Sequence, residues 1–462
     1  MRRSRLFATT LIAFATLLLF TAARVRVVRS PVPPKPLSAT RSFEITDKPI
    51  VEFFSLDRVL TQLIERSGVT GITPQQLMRQ MFDTQNPRPG LADPAGAHCD
   101  DTLIKSVPSF NGFPRRCPTP EGKLAATPYL AGDYFTLGIA NRFDLAPPDG
   151  SDCGQYRLVF AHRETGVLDR LHIIFEAVLP NPNPSAGIAG CRPVAQFWSD
   201  LSSVESMKLR RARLEEFFFD GLEGFPPVID VANLSGRGGI RTVQQVAGPA
   251  TNRFYQFRLV KTCASGDCTL RFTPDVLENM PYGLLFDGAD ESNQARAFRD
   301  EFVRQVPTLA INDLNLFHMK IPNEYLMVES NPIESFGAFA YELPFNQSKA
   351  GGEGLVFRER IQAELDRVGS TITPENIIVR AEHQTCHGCH GFNGAIPLGG
   401  GLKLEIGFGG IQMISEDILM DGEAGPGTRY GVDPIVEKQF VPHRMQILQD
   451  FLRDGTPPVH SN

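Results

Sequence analysis

Five residues near the C-terminus, Cys386-His387-Gly388-Cys389-His390, carry the plainest chemistry in this 462-residue chain. Two thiols three positions apart, followed at once by an imidazole, fall at i, i+3 and i+4. On one helical turn those positions share a face, so both sulfurs and the second imidazole point at a single flat group. C-x-x-C-H is the attachment signature of c-type haem. Its thiols add across the two vinyl groups of the macrocycle to form thioethers. The neutral imidazole that follows takes an axial position on the iron. The motif therefore implies one covalent haem c, with Cys386 and Cys389 as the attaching residues and His390 as the proximal iron ligand.

Two other chemistries fit the same pair. C-x-x-C pairs form redox or structural disulfides, although no thioredoxin-like βαβ pattern surrounds this one. The pair also suits a zinc or copper clip with His383, His387 or His390. A structural zinc site takes a second ligand pair at a distance, and none stands out here. His387 and His383 read as solvated histidines. His98, His162, His172 and His318 stand alone and read as structural or surface residues, with His318-Met319 able to approach the haem from the large N-terminal part. There is no G-x-S-x-G, no H-E-x-x-H and no phosphate-binding glycine loop. Whether the chain is an enzyme stays open at this level, with oxidoreductase the class the motif suggests.

A helix must present such a motif. Thr373 is a good N-cap and Pro374 sits at the first helical position. The helix they start is expected to run through Ile377, Ile378 and Val379 directly into Cys386. Phe357–Val368 and Glu437–Arg453 are amphipathic and predict further helices. Ser348–Gly354 reads as a linker, so residues 355–462 are expected to form a smaller, mainly helical haem domain. Residues 50–347 read as a large mixed module. Strands are expected at Tyr156–Phe160 and Leu171–Leu179, joined through the turn Arg163–Gly166, and at Ile240–Val246 and Phe254–Val260. Helices are expected at Leu60–Arg66, Pro74–Met81, Pro193–Gly221 and Ala295–Val306. Strands and helices come in runs instead of strict alternation, which favours an α+β fold.

The N-terminus reads as an export signal. Met1–Arg5 holds three arginines and Leu6–Ala23 is an apolar run of 18 residues ending in small side chains. Residues 1–23 are expected to be a signal peptide, with an uncleaved anchor as the alternative. Residues 24–49 read as a Pro-rich tether. The bulk of the chain is then periplasmic or extracellular. Eight cysteines agree with an oxidising compartment. Cys263 and Cys268 flank a turn between two strand-like runs and are the safest pair. Neighbour pairing adds Cys99–Cys117 and Cys153–Cys191. The net charge is −6 and no basic block occurs, which gives no reason for a nucleic-acid partner. A membrane enters only if residues 1–23 stay as an anchor.

From Glu382 to the end the chain resembles a class I cytochrome c domain. A helix leads into C-x-x-C-H, Gly391 follows the histidine, and Ile396-Pro397-Leu398-Gly399 is similar to that family's proline-containing loop. The resemblance implies that the Pro397 carbonyl accepts a hydrogen bond from the proximal histidine. It also implies a methionine as sixth iron ligand on a loop before the last helix. Met420 fits best and Met413 second, ahead of His443 and Met445 on the final helix. Ordinary core packing is the other reading for each methionine. Residues 130–200 resemble segments of uncharacterised exported bacterial proteins through Ala140-Asn141-Arg142-Phe143-Asp144, Ile174-Phe175-Glu176-Ala177 and Cys191-Arg192-Pro193-Val194. Together these features imply one-electron transfer to a redox partner protein. The alternatives are a haem peroxidase or oxidase with an open iron site, and a non-haem exported binding protein with a C-x-x-C disulfide or metal clip.

Overall fold

Alternation decides the largest element. In Leu171–Leu179 the odd-numbered residues Leu171, Ile173, Phe175, Ala177 and Leu179 are all buried, while His172, Ile174 and Val178 are half-buried. Such a period of two places one apolar face against the core. The computed structural model describes residues 36–128, 131–162, 170–246, 251–330, 341–347, 352–390, 397–404 and 414–459. The expected signal segment, most of the tether, the turn Arg163–Gly166, residues 348–351 of the linker and Met413 lie outside them.

The strands are β1 (Glu44–Ile45), β2 (Leu103–Ile104), β3 (Val107–Phe110), β4 (Phe113–Pro114), β5 (Tyr134–Arg142), β6 (Asp152–His162), β7 (Arg170–Pro180), β8 (Gly239–Val246), β9 (Thr251–Ala264), β10 (Asp267–Asp275), β11 (Glu329–Ser330), β12 (Ile414–Gly422) and β13 (Gly425–Val432). The helices are α1 (Ala39–Ser42), α2 (Lys48–Val51), α3 (Leu56–Ser67), α4 (Pro74–Asp83), α5 (Arg192–Leu201), α6 (Met207–Glu215), α7 (Asn293–Leu309), α8 (Glu342–Gln347), α9 (Glu353–Arg367), α10 (Pro374–His383), α11 (Cys386–His390) and α12 (Val441–Asp454). The fold is α+β.

An antiparallel sheet runs in the order β1-β5-β6-β7-β8-β9-β10, with β11 added beside β9. Its first face carries Tyr156, Leu158, Phe160, Ile173, Phe175 and Phe257, all buried. Trp198 of α5 stacks on Tyr156 with ring centroids 5.6 Å apart, and Phe217 meets the same ring edge-on at 5.0 Å. Full burial of such side chains stabilises by about 1.5–3 kcal/mol each. The second face carries Arg157, Val159, His172, Ile174, Arg241 and Val243, all half-buried.

Local signals set most helix ends. Ser55 caps α3 by accepting from the Arg58 amide at 3.3 Å. Thr73 and Gln76 form a capping box on α4, and Thr373 with Asn376 forms one on α10. The helix expected over Pro193–Gly221 is instead two helices and a π-helical turn, Glu216–Asp220. Ser206 ends the continuity, because its hydroxyl accepts from the Leu209 amide at 3.3 Å and so starts α6 afresh.

Three cysteine pairs stand at disulfide distance: Cys99–Cys117, Cys153–Cys191 and Cys263–Cys268, with Cα separations of 5.4, 5.2 and 4.0 Å. They are the pairs expected from neighbour pairing. Cys263 and Cys268 sit directly opposite each other on β9 and β10.

The sequence sets residues 355–462 apart as a mainly helical domain, yet the described residues belong to one compact unit. Phe357, Ile361, Ile377, Val432 and Phe451 join the same buried cluster as Phe43, Leu158 and Trp198. Arg444 of α12 donates to Glu44 of β1 at 2.8 Å with both side chains buried, and Phe143 meets Phe451 at 5.0 Å. The segment also holds a β-hairpin, β12–β13, which packs beside β5. Its apolar residues find their partners upstream, so no self-contained core divides it from the rest.

Candidate functional site

Helix α10 delivers the motif, with a break the sequence does not announce. It ends at His383, and Thr385 restarts the chain as α11. The Thr385 amide and hydroxyl both donate to the Glu382 carbonyl, at 2.9 and 2.6 Å. The same hydroxyl accepts from the Gly388 amide at 3.1 Å, and the Cys389 amide donates to the Thr385 carbonyl at 3.0 Å. Thr385 thus caps the short helix whose single turn is Cys386–His390. Glycine is required between the cysteines. A Cβ at residue 388 would stand 1.9 Å from the Glu382 carbonyl oxygen.

Cys386 and Cys389 are both free thiols and both partly buried. Cys386 packs against the buried cluster of Phe254, Leu277, Met280 and Met327, against which Val243 and Tyr282 pack as well. Register places Val243 of β8 opposite Phe254 of β9, on the second face of the sheet. The motif therefore lies over that face at its β8–β9 side. The hairpin β12–β13 lies over the β5 side, where Ile414 approaches Gly138, Phe135 meets Tyr430 at 6.1 Å, and Asp417 pairs with Arg170 of β7. From β8 to β5 is three strand spacings, roughly 14 Å, which is the scale of a flat macrocycle.

Charge is concentrated on the same face. Glu176 of β7 is buried between Arg157 of β6 and Arg241 of β8, at 3.2 Å from each. Burial opposes the Glu176 charge, but Arg241 and Arg157 hold its carboxyl below the usual range. Burial lowers Arg157 to about 10, with Glu176 opposing the fall. Burial likewise works against the Arg241 charge, while Glu176, Cys386 and Glu278 hold it protonated. Arg241, Glu176 and Glu278 are all close enough to act on Cys386, so the site is charged with both signs represented. Burial pushes the Cys386 thiol up while Arg241 pulls it down. Burial, then Cys386 and Asp433, push the Cys389 thiol up to about 12. Efficient disulfide exchange uses a thiol that ionises readily, and neither thiol here does.

The side chains of His387 and His390 lie outside the described set, and so does the pairing of Pro397 with His390. Pro397 itself is exposed and begins a short loop, with Leu398 buried behind it. Arg380 of α10 holds that loop. Its guanidinium is fully buried and donates to the carbonyls of Leu398, Leu309 and Ile311 at 2.8, 2.9 and 2.9 Å, and to Asn312 Oδ1 at 2.8 Å. Burial lowers its pKa to about 10. His383 is not solvated as expected but buried, and its Nδ1–H donates to the Val379 carbonyl at 2.8 Å. Met420 stands on strand β12 and not on a loop. Its sulfur accepts from Arg429 Nη2 at 3.5 Å, directly across the hairpin. Thr385, Arg241, Glu176 and Arg157 went unread in the sequence. The one available signal was three charged residues at the outward positions of otherwise apolar strands.

Among the described residues no group of three or more His, Cys, Asp or Glu side chains converges to hold a metal ion. A cleft of about 310 Å³ between α4 and β10, lined by Gln76, Arg79, Asp93 and Arg271, includes none of the motif residues. It is polar and distant in sequence from Cys386 and Cys389, so the chemistry is better sought at α11. The chain matches no family model, no curated protein and no solved structure.

Proposed function

We propose that this chain is an exported c-type haem protein that passes single electrons to a partner protein. One observation carries the reading: two unpaired thiols one helical turn apart on α11, with Cys386 set against the half-buried second face of the sheet. In this reading each thiol adds its S–H across a vinyl C=C, sulfur to one carbon and hydrogen to the other, so no oxidant is consumed. His390, the next residue, holds the iron. Arg157 and Arg241 suit the two carboxylates that haem carries. When bound, the iron supplies a one-electron couple whose potential follows from its axial ligands and its burial.

The residues present fit that group by their chemistry. The sulfurs are not paired with each other. The sheet face whose β8–β9 side the motif lies over combines apolar Val243, Ile174 and Val159 with the two guanidiniums. Three further cysteine pairs at disulfide distance suit an oxidising compartment, which is where haem c is attached.

The test is a pyridine haemochrome spectrum of the full chain expressed with c-type maturation, beside a Cys386→Ala/Cys389→Ala control. One covalent haem per chain, absent from the control, is the expected result. A colourless wild type under the same maturation would overturn the reading and move the weight to a disulfide or metal clip. Rapid binding of peroxide with turnover would move it to a haem oxidoreductase.

A further inference from the structure

Helix α4 presents Gln76, Arg79 and Gln80 at i, i+3 and i+4, so the three share one face. That face lines the polar cleft of about 310 Å³ between α4 and β10, and Cys268 and Arg271 of β10 line it from the strand. The volume falls at the small end of the range for ligand sites, about 300–1,000 Å³. Both walls are fixed before any ligand arrives. The Cys263–Cys268 pair ties the end of the β9–β10 hairpin. On the other side, the buried Asp83 carboxylate accepts from the amides of Leu91, Ala92 and Asp93 at 2.7, 2.8 and 2.7 Å. Asp93 also lines the cleft, and it accepts from Arg271 Nε at 2.8 Å, which holds that guanidinium in place. A site ordered in advance loses less conformational freedom on binding.

Charge and hydrogen bonding in the cleft are incompletely matched. Its charged residues are Arg79, Arg271 and Asp93, two positive and one negative. Asp93 is paired with Arg271. Arg79 donates through Nε to the Ala125 carbonyl at 2.6 Å, which leaves its two Nη groups for an anion. One unmatched guanidinium suits one negative charge, and its planar fork suits a carboxylate. A phosphate monoester brings about −1.5 to −2 at neutral pH and exceeds that charge. Gln80 Oε1 is buried and has no hydrogen-bond partner, which costs free energy unless a bound group supplies one. Gln76 gives its oxygen to the Thr73 amide at 2.9 Å and keeps its Nε2 to donate. Two side-chain amides of this kind are best met by hydroxyls, which both donate and accept.

We propose that the cleft between α4 and β10 binds a small hydroxylated carboxylate carrying one negative charge, with its carboxylate on Arg79 and its hydroxyls on Gln80 and Gln76. An amino acid is a poorer match, because its ammonium needs a carboxylate and Asp93 is already held by Arg271. The site gives the large N-terminal part a ligand of its own, apart from electron transfer. It stands independently of the haem, since no motif residue lines the cleft.

The test is isothermal titration calorimetry of the full chain with D-gluconate, D-glucuronate and L-lactate, beside glucose, hexanoate, L-serine and inorganic phosphate. At least one of the three hydroxy-carboxylates is expected to bind, one per chain. Glucose lacks the carboxylate and hexanoate the hydroxyls, so each should bind about tenfold weaker or worse. Arg79→Gln should weaken the hydroxy-carboxylate by about tenfold or more, the scale of a charge-assisted hydrogen bond, and Arg79→Lys should recover part of the loss. Gln80→Leu separates binding from folding. Removing a buried oxygen that has no partner should leave the thermal unfolding temperature unchanged or raise it, while the affinity falls. Binding of none of the three hydroxy-carboxylates would overturn the proposal. So would glucose, hexanoate, L-serine or phosphate binding as tightly as the best of them, or an Arg79→Gln variant with wild-type affinity. Should Arg79→Gln fail to fold, Gln80→Leu decides, and wild-type affinity in that folded variant overturns the proposal.

Discussion

The backbone carbonyl of Glu382 occupies the space that a side chain on residue 388 would need: a Cβ there would stand 1.9 Å from its oxygen. The contact ties the end of α10 to the middle of α11, so the pitch between the two helices depends on residue 388 having no side chain. Gly388→Ala forces the backbone at 382 to move. Overpacking of this kind costs about 1–3 kcal/mol. The expected outcome is a lower urea midpoint and less covalent haem per chain. A Gly388→Ala protein with wild-type stability and full haem loading would show that the two helices are not held at this contact.

Arg380 is the second element of the same assembly. Its buried guanidinium joins α10 to the segment after α7 and to the loop that begins at Pro397. Arg380→Met leaves the carbonyls of Leu309, Ile311 and Leu398 without their donor. The loss is expected at about 3 kcal/mol or more, since hydrogen bonds from charged groups contribute most and orphaned acceptors keep their desolvation cost. Urea unfolding measures it. Hydrogen exchange should also quicken at Leu398 and Leu402, whose amides close the loop.

Glu121 gives the stability a pH dependence of defined sign. It is fully buried, and burial raises its pKa from 4.5 to about 7, against the Thr242 hydroxyl and Arg253. A folded-state value above the unfolded one means the folded protein holds the proton more tightly. That contribution is complete below 4.5 and is lost as pH rises through 7. The span corresponds to on the order of 3 kcal/mol. Relative to Glu121→Gln, the wild type should therefore lose stability between pH 4.5 and 7. Parallel stability curves for the two proteins over that range would sink the assignment.

The disulfide pairs should differ in what they contribute. Cys153 and Cys191 are fully buried and 38 residues apart, whereas Cys263 and Cys268 are 5 apart on a hairpin. Loop-closure entropy gives about 4 kcal/mol for the long loop and about 2 for the short one. Double alanine substitution at Cys153 and Cys191 should depress the melting temperature more than the same change at Cys263 and Cys268, under non-reducing conditions.

Much of the local structure was legible in the chain. The Thr373 cap, the strands at Tyr156–Phe160 and Leu171–Leu179 and the pairing of Cys263 with Cys268 all depend on residues a few positions apart. The cysteine motif is legible for the same reason, because i, i+3 and i+4 belong to one turn whatever surrounds them. One miss was local: Ser206, a good N-cap residue, starts a second helix inside residues 193–221 and was not read as one. The other had a distant determinant. Leu419-Met420-Asp421-Gly422 looks like a loop until Tyr430 and Arg429 pair with it as a strand.

The sequence by itself determined that two thiols and an imidazole sit on one helical turn, and hence what kind of group they are able to hold. Only the tertiary structure decided what that turn faces. Arg241, Glu176 and Val243 are brought to the neighbourhood of Cys386 by strand register and by the packing of α10 on its neighbours. Both are non-local: a shift of register by one residue would turn each of these side chains to the other face of the sheet.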